Sequence, residues 1–304
     1  MFNGILPVWK EKGMTSHDVV FKLRRILKMK KIGHTGTLDP EVEGVLLVCL
    51  GQATKLVEYL MDGEKIYQGE ITLGYSTETE DAHGEIVEQT FVETPVSLAD
   101  IDQAMTQFVG EITQIPPYYS AVKVNGRRLY EYARAGEKVE RPERKARIDY
   151  FNRLSEATYD ASKGTQSWAF EVKCGKGTYV RTLAVDLGKQ LGYPSHMSQL
   201  TRQATGGFSA SQTHRLDEIQ AKMDAHQVET IIFPIEMGLT QFPQLEMTEQ
   251  QFADVKNGKV LAEDYFGPVL KQTTVLLLNG QVKAIYQPHP QQMGLIKPEK
   301  MFIS

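Results

Sequence analysis

Four segments of the chain carry side chains of the types that general-base, nucleophilic and proton-transfer chemistry uses. GHTGTLDP (33–40) holds His34 and Asp39 in a stretch whose two glycines, two threonines and Asp-Pro pair suit a tight turn with exposed backbone. KIYQGEITLG (65–74) carries Tyr67, TETEDAHGE (77–85) carries Asp81, and GKGTYVRTLAVDLG (175–188) carries Tyr179 and Arg181. Read singly, each has a plain structural explanation. Asp39 forms a turn, His34 is a loop histidine, Tyr67 is an interior strand aromatic, and Arg181 is a solvated group near a helix start. Some chemistries are excluded at once. GKGT lacks the upstream glycine of a phosphate loop, and TETEDAHGE lacks the spaced glutamate that closes a calcium loop. Cys49 and Cys174 lie in apolar stretches with no CxxC or histidine pairing, which reads as buried reduced thiols and no metal site.

The elements that must position these residues follow from periodicity. Thr15 and Asp18 resemble a capping box, and Val19, Leu23, Ile26 and Leu27 recur at helical spacing, so a basic amphipathic helix is expected to run up to Gly33. KIYQGEITLG reads as a strand, and Ser97, Ile101, Met105 and Phe108 mark a short capped helix. Trp168, Phe170, Val172 and Cys174 alternate with polar residues, as in a strand buried on one face. Leu183, Leu187 and Leu191 then share a helix face that Gly192 ends. Strands and helices mix without βαβ alternation, which predicts an α+β fold. FPIEMGLTQFP (233–243) marks a domain boundary, and Asn279-Gly280 between apolar runs predicts a hairpin in a small β-rich tail.

At 304 residues the chain is long enough for one large domain and a small one, with 41% hydrophobic and 24% charged residues as in globular proteins. It has no apolar run of membrane-spanning length and no secretory pattern at its start, so a cytoplasmic protein is expected. Net charge is −4, but it is unevenly spread. Residues 22–31 hold six basic groups and no acid, residues 123–147 hold nine basic against four acidic, and residues 76–102 hold eight acids and no Lys or Arg. Two basic surfaces on an acidic chain suit either solvated faces or a localised polyanion footprint.

GHTGTLDPEVEGVLLVCLGQATKL (33–56) resembles the signature of the bacterial TruB family of tRNA pseudouridine-55 synthases. KIYQGEITLG is similar to that family's tyrosine strand, TETEDAHG to its TxTxDxxG turn, IPPYYSAVKVNGRRLYEYAR to its insertion, and KGTYVRTLAVDLG to its arginine motif. The match in order and spacing spans about residues 10–213. The chain departs from the pattern at Trp9-Lys10-Glu11, Val42 and Leu47, none of which falls on a catalytic position.

The resemblance implies a pseudouridine synthase catalytic domain over 1–240 with a central mixed or antiparallel sheet, a basic RNA-gripping insertion at about 117–147, and a small PUA-like RNA-binding domain over 244–304. It implies isomerisation of the uridine at position 55 in the T-arm of tRNA, with no cofactor, no metal and no obligate protein partner. Asp39 would be the nucleophile or base, Arg181 the cation that holds it, and Tyr67 the ring stacked on the uracil whose hydroxyl moves the C5 proton. The target base is inaccessible in folded RNA and must be flipped out, with His34 stacking against the displaced RNA. Tyr179 would wall the pocket and Asp81 bridge to Arg181, while Lys10, Lys123, Arg127, Arg128 and Arg134 would contact RNA. The rival readings are a non-catalytic RNA-binding or RNA-folding protein on the same scaffold, a guide-RNA-directed synthase, and a small-molecule enzyme, for which the basic insertion would have no role.

Overall fold

The computed structural model describes residues 2–302. The helix Ser16–Ile26 opens as its capping box dictates. The Asp18 amide donates to Thr15 Oγ1 at 3.0 Å and the Thr15 amide to the Asp18 carboxylate at 2.8 Å. It ends at Ile26, well before the expected Gly33. Lys28 turns into the left-handed region at φ 51°, and the Met29 amide reaches back to the Arg24 carbonyl at 3.3 Å. That closure satisfies a terminal carbonyl and releases Ile32–His34 to pair as a short strand with Glu43–Leu50.

The spine of the main sheet is Lys65–Leu73, antiparallel to Thr165–Cys174 on one side and to Ser195–Thr205 on the other. One flank continues through Glu43–Leu50 to Gly4–Lys10, the other through Arg144–Arg153 to Gly110–Gln114. Glu43–Leu50 runs parallel to Ser195–Thr205, so the sheet is mixed and the fold α+β. The alternation read in the sequence decides its faces. Trp168, Phe170, Val172 and Cys174 are at most 1% exposed and lie in one core with Ile101 and Met105 of the helix Leu98–Thr106 and Leu183 and Leu187 of the helix Val180–Gln190. The opposite face is polar, with Thr72, Ser167 and Ser198 hydrogen-bonded together. Gly4–Lys10 and Glu43–Leu50 instead read as unbroken apolar runs because both their faces are covered. The helices Ser16–Ile26 and Leu216–Asp224 pack on Leu6, Leu46 and Val48, while Val275, Val282 and Ile285 pack on Ile5, Val45 and Leu47.

Val275, Val282 and Ile285 belong to a separate five-stranded sheet, ordered Gln244–Glu246, Thr274–Leu278, Gln281–Pro288, Leu295–Met301, Leu261–Ala262. Asn279 and Gly280 make its hairpin turn at φ 54° and 72°, the mirror-image geometry an Asn-Gly pair favours. The stretch 233–243 is not an exposed linker. The Phe233 amide pairs with the Ile5 carbonyl at 2.8 Å, and Leu239 is buried in the shared core, so the crossing between the two sheets is packed. Among the described residues no helix is long and apolar enough to cross a membrane.

Candidate active site

The loop carrying Asp39 is tied down at both ends. The Thr35 amide donates to the Leu47 carbonyl at 3.0 Å and the Leu38 amide to Ser16 Oγ at 2.9 Å, while the Val42 amide closes the turn on the Asp39 carbonyl at 3.0 Å. Gly44 must be glycine: at φ 124° a Cβ there would lie 2.3 Å from the Arg202 carbonyl oxygen. Lys10 departs from the RNA contact expected of it. It is fully buried, and its ammonium donates to the carbonyls of Glu11, Met14 and Pro40 at 3.0, 2.7 and 3.1 Å. Burial pulls its pKa down to about 8, against the opposing pull of Asp39. Lys10 is therefore a strut under the Asp39 loop, with no donor left for a phosphate.

Arg181 is the second residue of the helix Val180–Gln190, so its side chain leans back toward the helix start and the Asp39 loop. It is buried, and Nη2 lies 3.0 Å from Asp39 Oδ2. The fork is otherwise committed: Nη1 donates to the Thr79 carbonyl at 2.9 Å and Nη2 to the Tyr119 carbonyl at 3.0 Å. One guanidinium thus joins the Asp39 loop, the acidic turn and the base of the insertion. The Asp39 side chain, 44% exposed, opens onto a narrow cleft of about 50 Å³ shared with Val42, Asp81, His83 and Leu200.

Tyr67 lies on the central strand in the same apolar cluster as Leu38, Val42 and Leu200. Burial pushes its hydroxyl pKa up, while the neighbouring Arg202 charge pulls it back. Tyr179 precedes the helix, its amide and carbonyl both held by the Gln114 side chain at 3.0 and 3.1 Å. Its half-buried hydroxyl is also pushed up by burial, with Arg144, Arg181 and Asp39 among the charges around it. Asp81 does not bridge to Arg181. Its carboxylate accepts from Thr79 Oγ1 at 2.7 Å and the His83 amide at 2.9 Å, so it shapes the turn whose Thr79 carbonyl Arg181 takes. His34 is half-buried, its Nδ1 accepting the Gly36 amide at 3.4 Å, and burial lowers its pKa.

The insertion projects as a hairpin, Lys123–Val124 against Arg127–Arg128, followed by the helix Leu129–Ala135. Lys123, Arg127, Arg128 and Arg134 are all exposed on it. Arg127 pairs with Glu137 at 2.8 Å and lies 4.3 Å over the Tyr132 ring, and Arg128 and Arg134 stand by Tyr130 at 5.8 and 5.3 Å.

Two residues carry no motif that would single them out in the sequence. Glu80, at φ 65°, accepts the Thr182 hydroxyl at 2.7 Å beside Arg181, and burial pushes its carboxyl pKa up. Arg202 is 1% exposed and sits directly across the strands from Tyr67. Period-two alternation from Leu200 marks it as inward-facing, and an inward arginine demands a role.

A mixed sheet that presents a carboxylate paired with a buried guanidinium, close to a buried tyrosine, is the arrangement of an enzyme whose site could act through a carboxylate. More specifically, the chain belongs to the TruB family of pseudouridylate synthases, whose N-terminal domain matches residues 24–180; the tRNA pseudouridylate synthase B C-terminal domain matches residues 181–240. It is 49% identical to the tRNA pseudouridine synthase B of Staphylococcus haemolyticus over 99% of this chain and 100% of that one. It is 50% identical to that of Listeria innocua over 98% of each. Among solved structures it is similar to a chain in a Cbf5–Nop10–Gar1 complex, with TM-score 0.74 and 26% identity over 98% of this chain and 84% of that chain. The C-terminal sheet lies beyond both family matches but within the span of these full-length relatives.

Proposed function

We propose that the chain isomerises uridine to pseudouridine in tRNA with Asp39 as its catalytic carboxylate, and that the target is the uridine at position 55 of the T-arm loop. Family membership and the full-length relatives support the reaction. The observation that carries the assignment of Asp39 is its 3.0 Å pair with Arg181, whose remaining bonds to Thr79 and Tyr119 fix the guanidinium. A fixed fork orients the carboxylate at the mouth of the cleft.

The reaction breaks the bond from N1 to C1′, turns the uracil, joins C5 to C1′, and moves a proton from C5 while N1 gains one. Asp39 acts on the sugar or the base as nucleophile or general base. Tyr67 stacks on the uracil and its hydroxyl passes on the C5 proton. Tyr179 walls the pocket, and His34 stacks where the flipped nucleotide left the RNA. The exposed basic groups of the insertion grip phosphates, which position the RNA without reading its bases. The small C-terminal domain from about residue 244 adds RNA contact surface.

Release of tritium from C5 of uridine in an unmodified tRNA T-arm transcript tests this, with wild type and Asp39→Asn compared and RNA binding measured in parallel. Release by the wild type, lost in a variant that still binds, is the expected result. Binding without release from either protein overturns the assignment.

A further inference from the structure

Arg202 is a buried cation that the roles above leave unused. Its side chain makes no ion pair within 4.0 Å among the described residues. It hydrogen-bonds to carbonyls and to the Tyr67 side chain: Nε donates to Val45 at 2.7 Å, and Nη2 reaches Gly36 at 3.5 Å. Those carbonyls stand on either side of Asp39, one before the turn and one after it. The backbone grips the same loop, since Arg202 pairs with Gly44 in the parallel ladder. Across the strands Arg202 faces Tyr67, and residues directly opposite in an antiparallel pair share a face. A charge at this depth is costly unless it is paired or hydrogen-bonded, and an arginine cannot escape the cost by shedding its proton.

Two other cations line this region. Lys10 and Lys65 are buried on carbonyl partners alone, and burial draws both pKa values down to about 8, with the Arg202 charge adding to the effect. Beneath the site the interior therefore gathers positive charge.

Resting on the reaction proposed above, we infer that Arg202 is a positioning residue for the isomerisation: it clamps the Asp39 loop at Gly36 and Val45 and holds a fixed positive charge against the Tyr67 hydroxyl. When C5 has joined C1′, the C5–H bond breaks, its electron pair restores the C5–C6 double bond, and the pair that doubly bonded C6 to N1 returns to N1, which takes up a proton from solvent. The proton passes to the Tyr67 oxygen, which gives its own proton to water, and the Arg202 charge stabilises the negative charge that gathers on that oxygen during the exchange. The groups bearing on Tyr67 are Arg202, Cys174 and Asp39.

The test is single-turnover tritium release with enzyme in excess, from about pH 6 to about pH 9, for wild type, Arg202→Lys and Arg202→Met, with RNA affinity and thermal unfolding measured alongside. Arg202→Met is expected to slow release by about 100-fold with affinity within about threefold of wild type. Arg202→Lys is expected to recover at least about tenfold of that at neutral pH and to lose it as pH rises through about 8, because a lysine there shares the burial of Lys10 and Lys65. Release by Arg202→Met within about threefold of wild type overturns the inference, as does a lysine variant whose pH profile parallels wild type. If the methionine variant does not fold, the lysine profile decides alone. Absence of release from the wild type itself would overturn the proposed reaction instead.

Discussion

Replacing Arg181 by lysine keeps one positive charge and removes the fork. The guanidinium now serves three acceptors: Asp39 Oδ2 at 3.0 Å, the Thr79 carbonyl at 2.9 Å and the Tyr119 carbonyl at 3.0 Å. A lysine has a single nitrogen in place of the fork, and one that stays on one carbonyl gives up Asp39 and leaves the other carbonyl without its donor. A charge-assisted bond contributes roughly 1.5–3 kcal/mol, and the half-exposed Asp39 end favours the lower figure. With roughly 0.5–1.5 kcal/mol more for a carbonyl left without its donor, the loss is about 2–3 kcal/mol. If this falls on the transition state, the chemical step slows by about 30- to 150-fold. Single-turnover tritium release with enzyme in excess reads that step, and filter binding reads affinity. The reasoning fails if Arg181→Lys stays within about threefold of wild type, or if affinity drops as far as the rate, since the guanidinium would then serve binding and not the carboxylate.

Three further outcomes are expected. Gly44→Ala should cost activity more than stability, because its Cβ pushes on the Arg202 backbone at 2.3 Å and displaces the end of the Asp39 loop; comparison of the single-turnover rate with the urea midpoint checks this. Removing Lys123, Arg127, Arg128 and Arg134 together should weaken tRNA binding and flatten its salt dependence by roughly 0.7–0.9 in the log–log slope for each phosphate no longer neutralised, with the saturated single-turnover rate unchanged. Arg127 should contribute least, being already paired with Glu137, so its single variant should shift the slope less than Lys123→Ala. His196 is buried, with Nδ1 at 3.1 Å from the Tyr75 carbonyl, and burial holds its pKa below the ordinary imidazole value. Its unfolded form therefore takes up the proton first, so its contribution to stability is present above the unfolded value of about 6.5 and is lost as pH falls from there through the lower folded value. His196→Gln should show a smaller drop in urea midpoint than wild type between about pH 7.5 and about pH 5.

What the sequence made legible was whatever local physics decides. The Thr15 and Asp18 capping box, the alternation from Trp168 to Cys174 and the Asn279-Gly280 turn each depend on neighbours within a few residues, and each stands where expected. The end of the first helix escapes such reading because Lys28 takes a left-handed conformation that a glycine would have advertised and a lysine does not. The site was legible as motifs but not as a geometry. Lys10 and Asp81 carry charge, and charge alone points them to RNA and to Arg181. Their partners are set by folding contacts that spacing does not reveal: Lys10 reaches Pro40, thirty positions on, and Asp81 turns back on Thr79.

Arg202 is the extreme case. It is one cation in a strand of mixed residues, and its meaning arises only when the sheet sets it beside Tyr67 and Gly44. All three cations that fix the Asp39 loop, Lys10, Arg181 and Arg202, bond chiefly to backbone carbonyls. A carbonyl has no sequence identity, so no motif can record such a bond. It does have a fixed position once the sheet forms, so a cation bonded to it holds the Asp39 loop in one place.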